Sequence, residues 1–157
     1  MTPSSQQQLC QQWLDAFVQR HGATSGTVHL RALDSDLRLV ASCNIPPPVL
    51  TVIEVIPKGK GMAGLAWERN QPVSTCNLKT DSTGDVRPLA QAVHAQAAVA
   101  LPVHSTGPAQ QAGQVAGVVG IAFREERELS EQELYDLNLE AQSVPRILDG
   151  FPGSSQV

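Results

Sequence analysis

The chain has 157 residues, a formal net charge of −4 and a hydrophobic fraction of 41%, which suits one domain whose core needs no disulfide or metal. Its 11 basic and 15 acidic residues form no basic block, which argues against direct binding to nucleic acid. The N-terminus lacks a signal-peptide pattern and the longest apolar run is too short to span a bilayer, so no membrane association is expected. Three scattered cysteines without a CxxC pair favour reduced thiols, and the expected location is the cytoplasm.

The first half of the chain predicts a helix and a hairpin. Ser5–His21 is predicted to be helical, with one apolar stripe made of Leu9, Cys10, Trp13 and Phe17. Thr27–Leu33 and Leu37–Cys43 alternate apolar and polar residues around a short break, which is typical of an antiparallel hairpin. In the first strand, Thr27, His29 and Arg31 alternate with Val28, Leu30 and Ala32. The three prolines that follow, Pro46–Pro48, predict a stiff non-helical connector.

The second half predicts short elements, a second hairpin and a final helix. The expected segments are a helix over Met62–Asn70, a strand over Gln71–Cys76, a polar loop over Asn77–Arg87, a helix over Leu89–Gln96, and strands over Ala97–Ser105 and Val115–Arg124. Ser130 and Glu133 have the spacing of a capping box that opens the last helix. We expect residues 1–22 to form the N-terminal helix, residues 23–148 the rest of a single domain, and residues 149–157 a loose tail.

In each predicted hairpin, a turn or loop joins two neighbouring strands. Such pairs predict a single antiparallel sheet, because parallel strands need long crossover connections. Each terminal helix has one apolar stripe, so both helices can pack on the same face of the sheet. The middle stretch then covers the other face, and the space between it and the sheet is the expected ligand site.

Four segments occur in an order that resembles GAF domains. Ile56–Gln71, with the sequence IPKGKGMAGLAWERNQ, resembles the signature stretch of that family, and Pro72-Val73 follows it. Ala97–Val103 resembles its strand ending in a proline-containing turn, and Gly117–Ile121 its glycine-containing penultimate strand. Leu129–Leu134 resembles the entry to its last helix. The resemblance covers most of the chain, from about Gly26 to Val144.

This resemblance implies a mixed α/β fold of the α+β type, with a PAS-like antiparallel sheet of five or six strands. The terminal helices would lie on one face, with short helices and loops on the other. Members of the family bind small molecules such as cyclic nucleotides, bilins, haem or metabolites, or serve as dimerising relays in signalling. One branch reduces free methionine-(R)-sulfoxide. The fold alone does not choose among these functions.

Gly59–Gly64 matches the glycine pattern of a dinucleotide site. Such a site joins a parallel strand to a long crossover helix, whereas the strands predicted here are antiparallel and the helix is short. The glycines are therefore interpreted as a turn that lets the backbone enter a closely packed helix.

Thiol and cofactor chemistry have weak support in the sequence. The sulfoxide-reducing relatives carry cysteines in the glycine turn and in the loop after the next strand, but Cys43 and Cys76 occupy neither position. The cyclic-nucleotide signature is incomplete after Asn77. His94 has no neighbouring cysteine for bilin attachment. The four histidines form no metal-ligand spacing and are interpreted as structural or surface residues.

A small-molecule-binding sensory domain is therefore the preferred hypothesis, with the ligand and any cofactor unidentified and no catalytic residue assigned. The candidate lining residues are Met62, Trp67, Cys76, Asp81, Arg87, His94 and Val99. Within this set, Arg87 could meet an anionic ligand from a loop that orders on binding. Two alternatives stay open: a ligand-free module that forms a homodimer through its terminal helices, and the thiol reductase.

Overall fold

The computed structural model describes residues 5–32, 35–75, 96–105 and 114–145, which form four helices and six strands. In chain order they are α1 (Ser5–Arg20), β1 (Ser25–Leu30), β2 (Leu37–Cys43), α2 (Pro47–Ile53), β3 (Val55–Ile56), α3 (Gly61–Arg69), β4 (Val73–Thr75), β5 (Ala97–His104), β6 (Val115–Phe123) and α4 (Glu131–Ala141). The predicted loop over Asn77–Arg87 lies outside the described residues, and so does the predicted helix over Leu89–Gln96 apart from Gln96, whose backbone N–H donates to the Phe123 carbonyl at 2.8 Å. None of the described helices is long and apolar enough to cross a bilayer.

The six strands form one sheet in the order β3-β2-β1-β6-β5-β4, and every neighbouring pair is antiparallel. Both predicted hairpins are present, as β1–β2 and β5–β6. The pairing of β1 with β6 joins the two hairpins into a continuous platform. This confirms the predicted mixed fold with a six-stranded antiparallel sheet.

One face of the sheet is sealed by the two terminal helices. Apolar side chains from β1, β5 and β6 that point to this face are all 4% exposed or less, and α1 and α4 contribute Phe17, Leu137 and Ala141 to the same cluster. Burial of this area is the main source of stability, at about 25 cal/mol per Å². We call this the terminal-helix face. Both terminal helices lie on it, as predicted.

The second face of the sheet is covered by α2 and α3. Leu37, Ala66, Ala100, Val115 and Val118 form the buried cluster under α3, which is smaller than the cluster on the terminal-helix face. We call this the α3 face. Because the sheet is covered on both sides, its central strands carry apolar residues at successive positions rather than in strict alternation.

A bulge in β2 changes which face its side chains reach. Val28 pairs with Ala41 but His29 pairs with Leu39, so Val40 is an extra residue. As a result, Ala41 belongs to the terminal-helix cluster while Leu37 belongs to the α3 cluster. The sequence predicted one face for both residues, because strict alternation has no place for an inserted residue.

The apolar stripe of α1 differs from the predicted one. The side chains buried on α1 are Cys10, Leu14, Phe17 and Val18, whereas Leu9 is 54% exposed and Trp13 is only partly buried. The predicted series followed a strict four-residue step. A 3.6-residue period instead centres the buried stripe on residues separated by four and then three positions.

The proline connector was predicted wrongly, since Pro47 and Pro48 begin helix α2. Proline is accepted in the first turn of a helix because the backbone N–H groups there have no intrahelical partner. At α4 the prediction is confirmed: the Ser130 hydroxyl accepts from Glu133 N at 3.1 Å, and Ser130 N donates to the Glu133 carboxylate at 3.0 Å.

Candidate functional site

Four small side chains form a partly exposed patch in the middle of the α3 face. They are Thr27, Ala98, Gly120 and Ala122. Thr27 pairs with Gly120 in the β1–β6 ladder, and Ala122 pairs with Ala98 in the β5–β6 ladder, so the four are contiguous. The equivalent strands have no such opening on the terminal-helix face, where the described apolar side chains are buried. We call this patch the small-residue floor.

Gly120 keeps the floor low, because a Cβ at this position would contact the neighbouring strands closely. A Cβ built at this position would lie 3.2 Å from the Thr27 hydroxyl and 3.8 Å from the Val99 carbonyl. Both of those groups belong to neighbouring strands, and no described side chain from a covering helix comes within 4 Å. Among the described residues, no side chain of α2 or α3 therefore closes over Gly120.

A glycine turn places α3 beside the floor. Gly59 and Gly61 have φ values of +84° and +65°, which L side chains rarely adopt. A Cβ on Gly64 would lie 2.6 Å from the Pro57 carbonyl, so only glycine permits this close approach of the helix to the turn. The strands around the turn are antiparallel. This agrees with its interpretation as a packing turn rather than a dinucleotide site.

Two predicted lining residues, Met62 and Trp67, come from α3 and lie on this side of the sheet. Both are partly buried against the α3 cluster. The Arg31 guanidinium lies 4.5 Å from the Trp67 ring centroid, and Lys58 Nζ lies 5.8 Å from it. These distances are within the range of cation–π attraction. The α3 side of the site is therefore apolar, with positive charge beside it.

His29 is a buried polar side chain next to the floor on β1, two residues beyond Thr27. It is 2% exposed, and its Nε2 lies 2.8 Å from the Ile53 carbonyl oxygen at the end of α2. Burial lowers the pKa of His29 to about 4, although the bond to the Ile53 carbonyl acts in the opposite direction. The imidazole is therefore neutral near pH 7.

The structure does not place the remaining predicted lining residues beside Met62 and Trp67. Val99 is completely buried in the terminal-helix cluster, so it lies behind the sheet from Met62 and Trp67 and does not line the space in front of α3. Its neighbour Ala100 occupies the α3 face instead. Cys76, Asp81, Arg87 and His94 lie outside the described residues.

The two described cysteines offer no reactive thiol to the site. Cys10 is fully buried in α1, and burial raises its pKa to about 11. Cys43 packs beside the terminal-helix cluster, where burial and then the Asp15 carboxylate raise its pKa. Both thiols are therefore kept protonated near pH 7, whereas the thiolate is the nucleophile. Among the described residues, no three potential ligands are grouped to hold a metal ion.

The sequence signal for the floor was present but ambiguous. Alternation correctly placed Thr27, His29 and Arg31 opposite Val28 and Leu30. Polar residues on one side of a strand usually mark a solvent-facing surface, and only the cover supplied by α2 and α3 makes that side internal. Gly120 was noted only as part of a family-like strand.

An antiparallel six-stranded sheet with helices on both faces places the described residues in the α+β class of folds. The GAF domain family profile matches residues 3–144, and the chain belongs to that family. No curated protein gives a significant sequence match to the chain.

Solved structures share this fold at low sequence identity. The GAF domain region of a putative membrane protein from Geobacter sulfurreducens has a TM-score of 0.72 and 13% identity, over 90% of this chain and 91% of that one. A domain of a putative two-component sensor histidine kinase from Sinorhizobium meliloti has a TM-score of 0.65 and 11% identity, over 96% of each chain. A type II free methionine-R-sulfoxide reductase from Thermoplasma acidophilum has a TM-score of 0.66 and 16% identity, over 92% of this chain and 94% of that one. These likenesses concern the fold alone.

Proposed function

We propose that this GAF domain is a sensory module that binds a small molecule on the small-residue floor and acts in signalling. The ligand lies between the sheet and the segment that contains α2 and α3. The proposed location is the cytoplasm, which is in keeping with the free thiols of Cys10 and Cys43.

The observation that carries the proposal is the difference between the two faces of one sheet. On the terminal-helix face, the described apolar side chains of the central strands are sealed. On the α3 face, the floor stays partly exposed although helices lie beside it. A concave, mostly apolar surface with a few polar groups at its edge is the usual form of a small-molecule site. The similar domain from a sensor histidine kinase supports a role in signalling.

Thermal-shift screening of a metabolite panel, together with native mass spectrometry of the purified protein, tests this function. We expect at least one compound to raise the melting temperature, because a ligand that binds only the folded state stabilises it by mass action. If no compound stabilises the protein and none co-purifies with it, the proposed function is wrong.

A substitution that fills the floor locates the binding site. In Gly120→Val, the added methyl groups occupy the space above the sheet, and we expect the hit compound to lose at least about 90% of its thermal shift. The matched control is Ser74→Val, which adds a similar branched side chain at an exposed position on β4. Equal shifts in both variants would place the ligand elsewhere.

We also propose that the domain forms a homodimer through its terminal helices. Leu9 on α1 is 54% exposed, and Tyr135 and Leu139 on α4 are 63% and 61% exposed. A second copy would cover these apolar side chains, as helices do in a bundle. Dimerisation is compatible with ligand binding, because the floor lies on the opposite face of the sheet.

A further inference from the structure

His29 carries a hydrogen-bond acceptor that the described structure leaves unused. Its Nε2 lies 2.8 Å from the Ile53 carbonyl oxygen. Since a carbonyl can only accept, Nε2 carries the proton, and Nδ1 is left with a free lone pair. Nδ1 is buried and has no hydrogen-bond partner among the described residues.

The unpaired Nδ1 is energetically costly. A buried acceptor without a donor lowers stability by about 1–3 kcal/mol, and most buried polar groups in native proteins are paired. The burial-lowered pKa of about 4 shows that the ring does not relieve this cost by taking up a second proton near pH 7. An unpaired acceptor of this kind favours binding of a molecule that supplies a donor.

His29 lies next to the floor along β1. His29 follows Thr27 by two residues on β1, so both side chains point to the α3 face, and its ladder partners on the two sides are Leu39 and Val118. These apolar neighbours lower the local dielectric, which strengthens a hydrogen bond made there. The floor itself consists of small side chains around Gly120, which suits a flat molecule.

Helix α2 packs next to His29 and has few buried side chains. Its buried side chains are Val49 and Ile53, no side-chain hydrogen bond caps its start at Pro46, and Val52 is 67% exposed. Its last carbonyl, that of Ile53, receives the imidazole N–H. A molecule that reaches Nδ1 must displace α2 slightly, because the ring is only 2% exposed.

We infer, on the basis of the proposed ligand site, that His29 is its polar anchor. Nδ1 accepts a hydrogen bond from an O–H or N–H group of a small flat molecule that lies on the small-residue floor. The ligand class is therefore a planar molecule with at least one hydrogen-bond donor. The Ile53 carbonyl holds the ring in the tautomer that leaves Nδ1 free.

Phenol and anisole test this inference, since they share a flat ring but only phenol has a donor. Each is titrated into ¹⁵N-labelled protein at millimolar concentration, and the amide signals of Thr27 and Gly120 report binding on the floor. We expect phenol to bind at least about tenfold more tightly than anisole. The Nδ1 resonance of His29 should move upfield with phenol alone, because hydrogen bonding to the lone pair shields that nitrogen. The Ile53 amide should also shift with phenol.

Two variants separate the role of Nδ1 as acceptor for the ligand from the hydrogen bond between Nε2 and the Ile53 carbonyl. In His29→Gln, the side-chain amide can still donate to the Ile53 carbonyl but no acceptor remains at the Nδ1 position, so phenol should lose its advantage over anisole. In His29→Asn, the shorter side chain keeps a carbonyl near Nδ1 and gives up the bond to Ile53, so part of the advantage should remain. If His29→Gln does not fold, the comparison of the two compounds on the wild-type protein decides.

The experiment distinguishes an error in the role of His29 from an absence of binding on the floor. If both compounds shift Gly120 equally and the Nδ1 resonance stays constant, the anchor role of His29 is wrong while the floor remains a binding site. If neither compound shifts Thr27 or Gly120, the proposed ligand class and the anchor role of His29 are both wrong, and the metabolite screen with the Gly120→Val variant decides the proposed function separately.

Discussion

At the residue scale, the buried imidazole of His29 makes stability depend on pH. In the unfolded chain its pKa is near the ordinary value of 6.5, and in the folded chain it is about 4. Between these values the unfolded state binds the proton and the folded state does not, so stability falls as the pH falls from 6.5 towards 4. The loss attributable to His29 is roughly 2–3 kcal/mol by about pH 4.

Urea unfolding of the wild-type protein and of His29→Gln, at about pH 7 and about pH 4.5, measures this contribution. The stability of the wild type should fall more steeply than that of the variant, because glutamine does not titrate. Parallel losses in the two proteins would contradict a depressed pKa for His29. The comparison between them removes the contributions of the carboxylates, which titrate in both.

Residue placement could be predicted only where a strand alternates. Thr27, His29 and Arg31 were assigned correctly to one face, because polar and apolar residues alternate in β1. In β5 almost every residue is apolar, so the sequence held no signal to place Val99 on one face and Ala100 on the other. The hydrogen-bond partner of His29 could not be predicted either. Ile53 belongs to α2, and the three prolines at the start of that segment led to the prediction of a non-helical connector.

At the scale of elements, Glu140 joins the two terminal helices. Its carboxylate accepts from Arg20 Nε at 2.8 Å and lies 2.8 Å from His21 Nε2, so one residue of α4 holds the end of α1. Burial acts to raise the pKa of Glu140, but the hydrogen bonds from His21 and Arg20 outweigh it and lower the pKa below its usual value.

We expect Glu140→Gln to destabilise the protein by about 1 kcal/mol, because the pair is partly exposed and screened by solvent. The stabilisation is present above the unfolded-state pKa of the carboxyl and is lost as the pH falls through its lower folded value. Chemical unfolding at about pH 7 measures the difference. Glu128→Gln, at an exposed position before α4, is the matched control and should change stability by less than about 0.5 kcal/mol. Equal effects of the two substitutions would show that Glu140 does not join the helices.

Element types followed from the sequence more readily than their buried faces did. The limits of β2 were predicted correctly, as was the capping box of α4, because alternation and the Ser130–Glu133 spacing are local signals. The bulge at Val40 was missed, since it depends on the pairing of β2 with β1 rather than on β2 itself. The apolar stripe of α1 was also misplaced, because Leu9 is apolar but has no contacting partner that buries it.

At the scale of the whole molecule, the sheet separates the terminal-helix face from the α3 face. The terminal helices form the outer side of one layer, and the small-residue floor lies on the other side of the sheet. The antiparallel platform was predictable, because short breaks join the strands of each hairpin. The polar contacts that hold the helices on each face were not predictable, namely His29 with α2 on one face and Glu140 with the end of α1 on the other.

The last prediction concerns assembly. Leu139 is 61% exposed on α4, and in a dimer packed through the terminal helices it would be covered by the second copy. Leu139→Lys should therefore convert the dimer to a monomer at micromolar concentration, because a buried unpaired ammonium group opposes association. The matched control is Val52→Lys, which introduces the same charge at a position 67% exposed on α2, away from the terminal helices. Light scattering over a range of concentrations should give a dimer for the wild type and Val52→Lys and a monomer for Leu139→Lys. A monomeric wild type at high concentration, or a dimer that survives in Leu139→Lys, would rule out this interface.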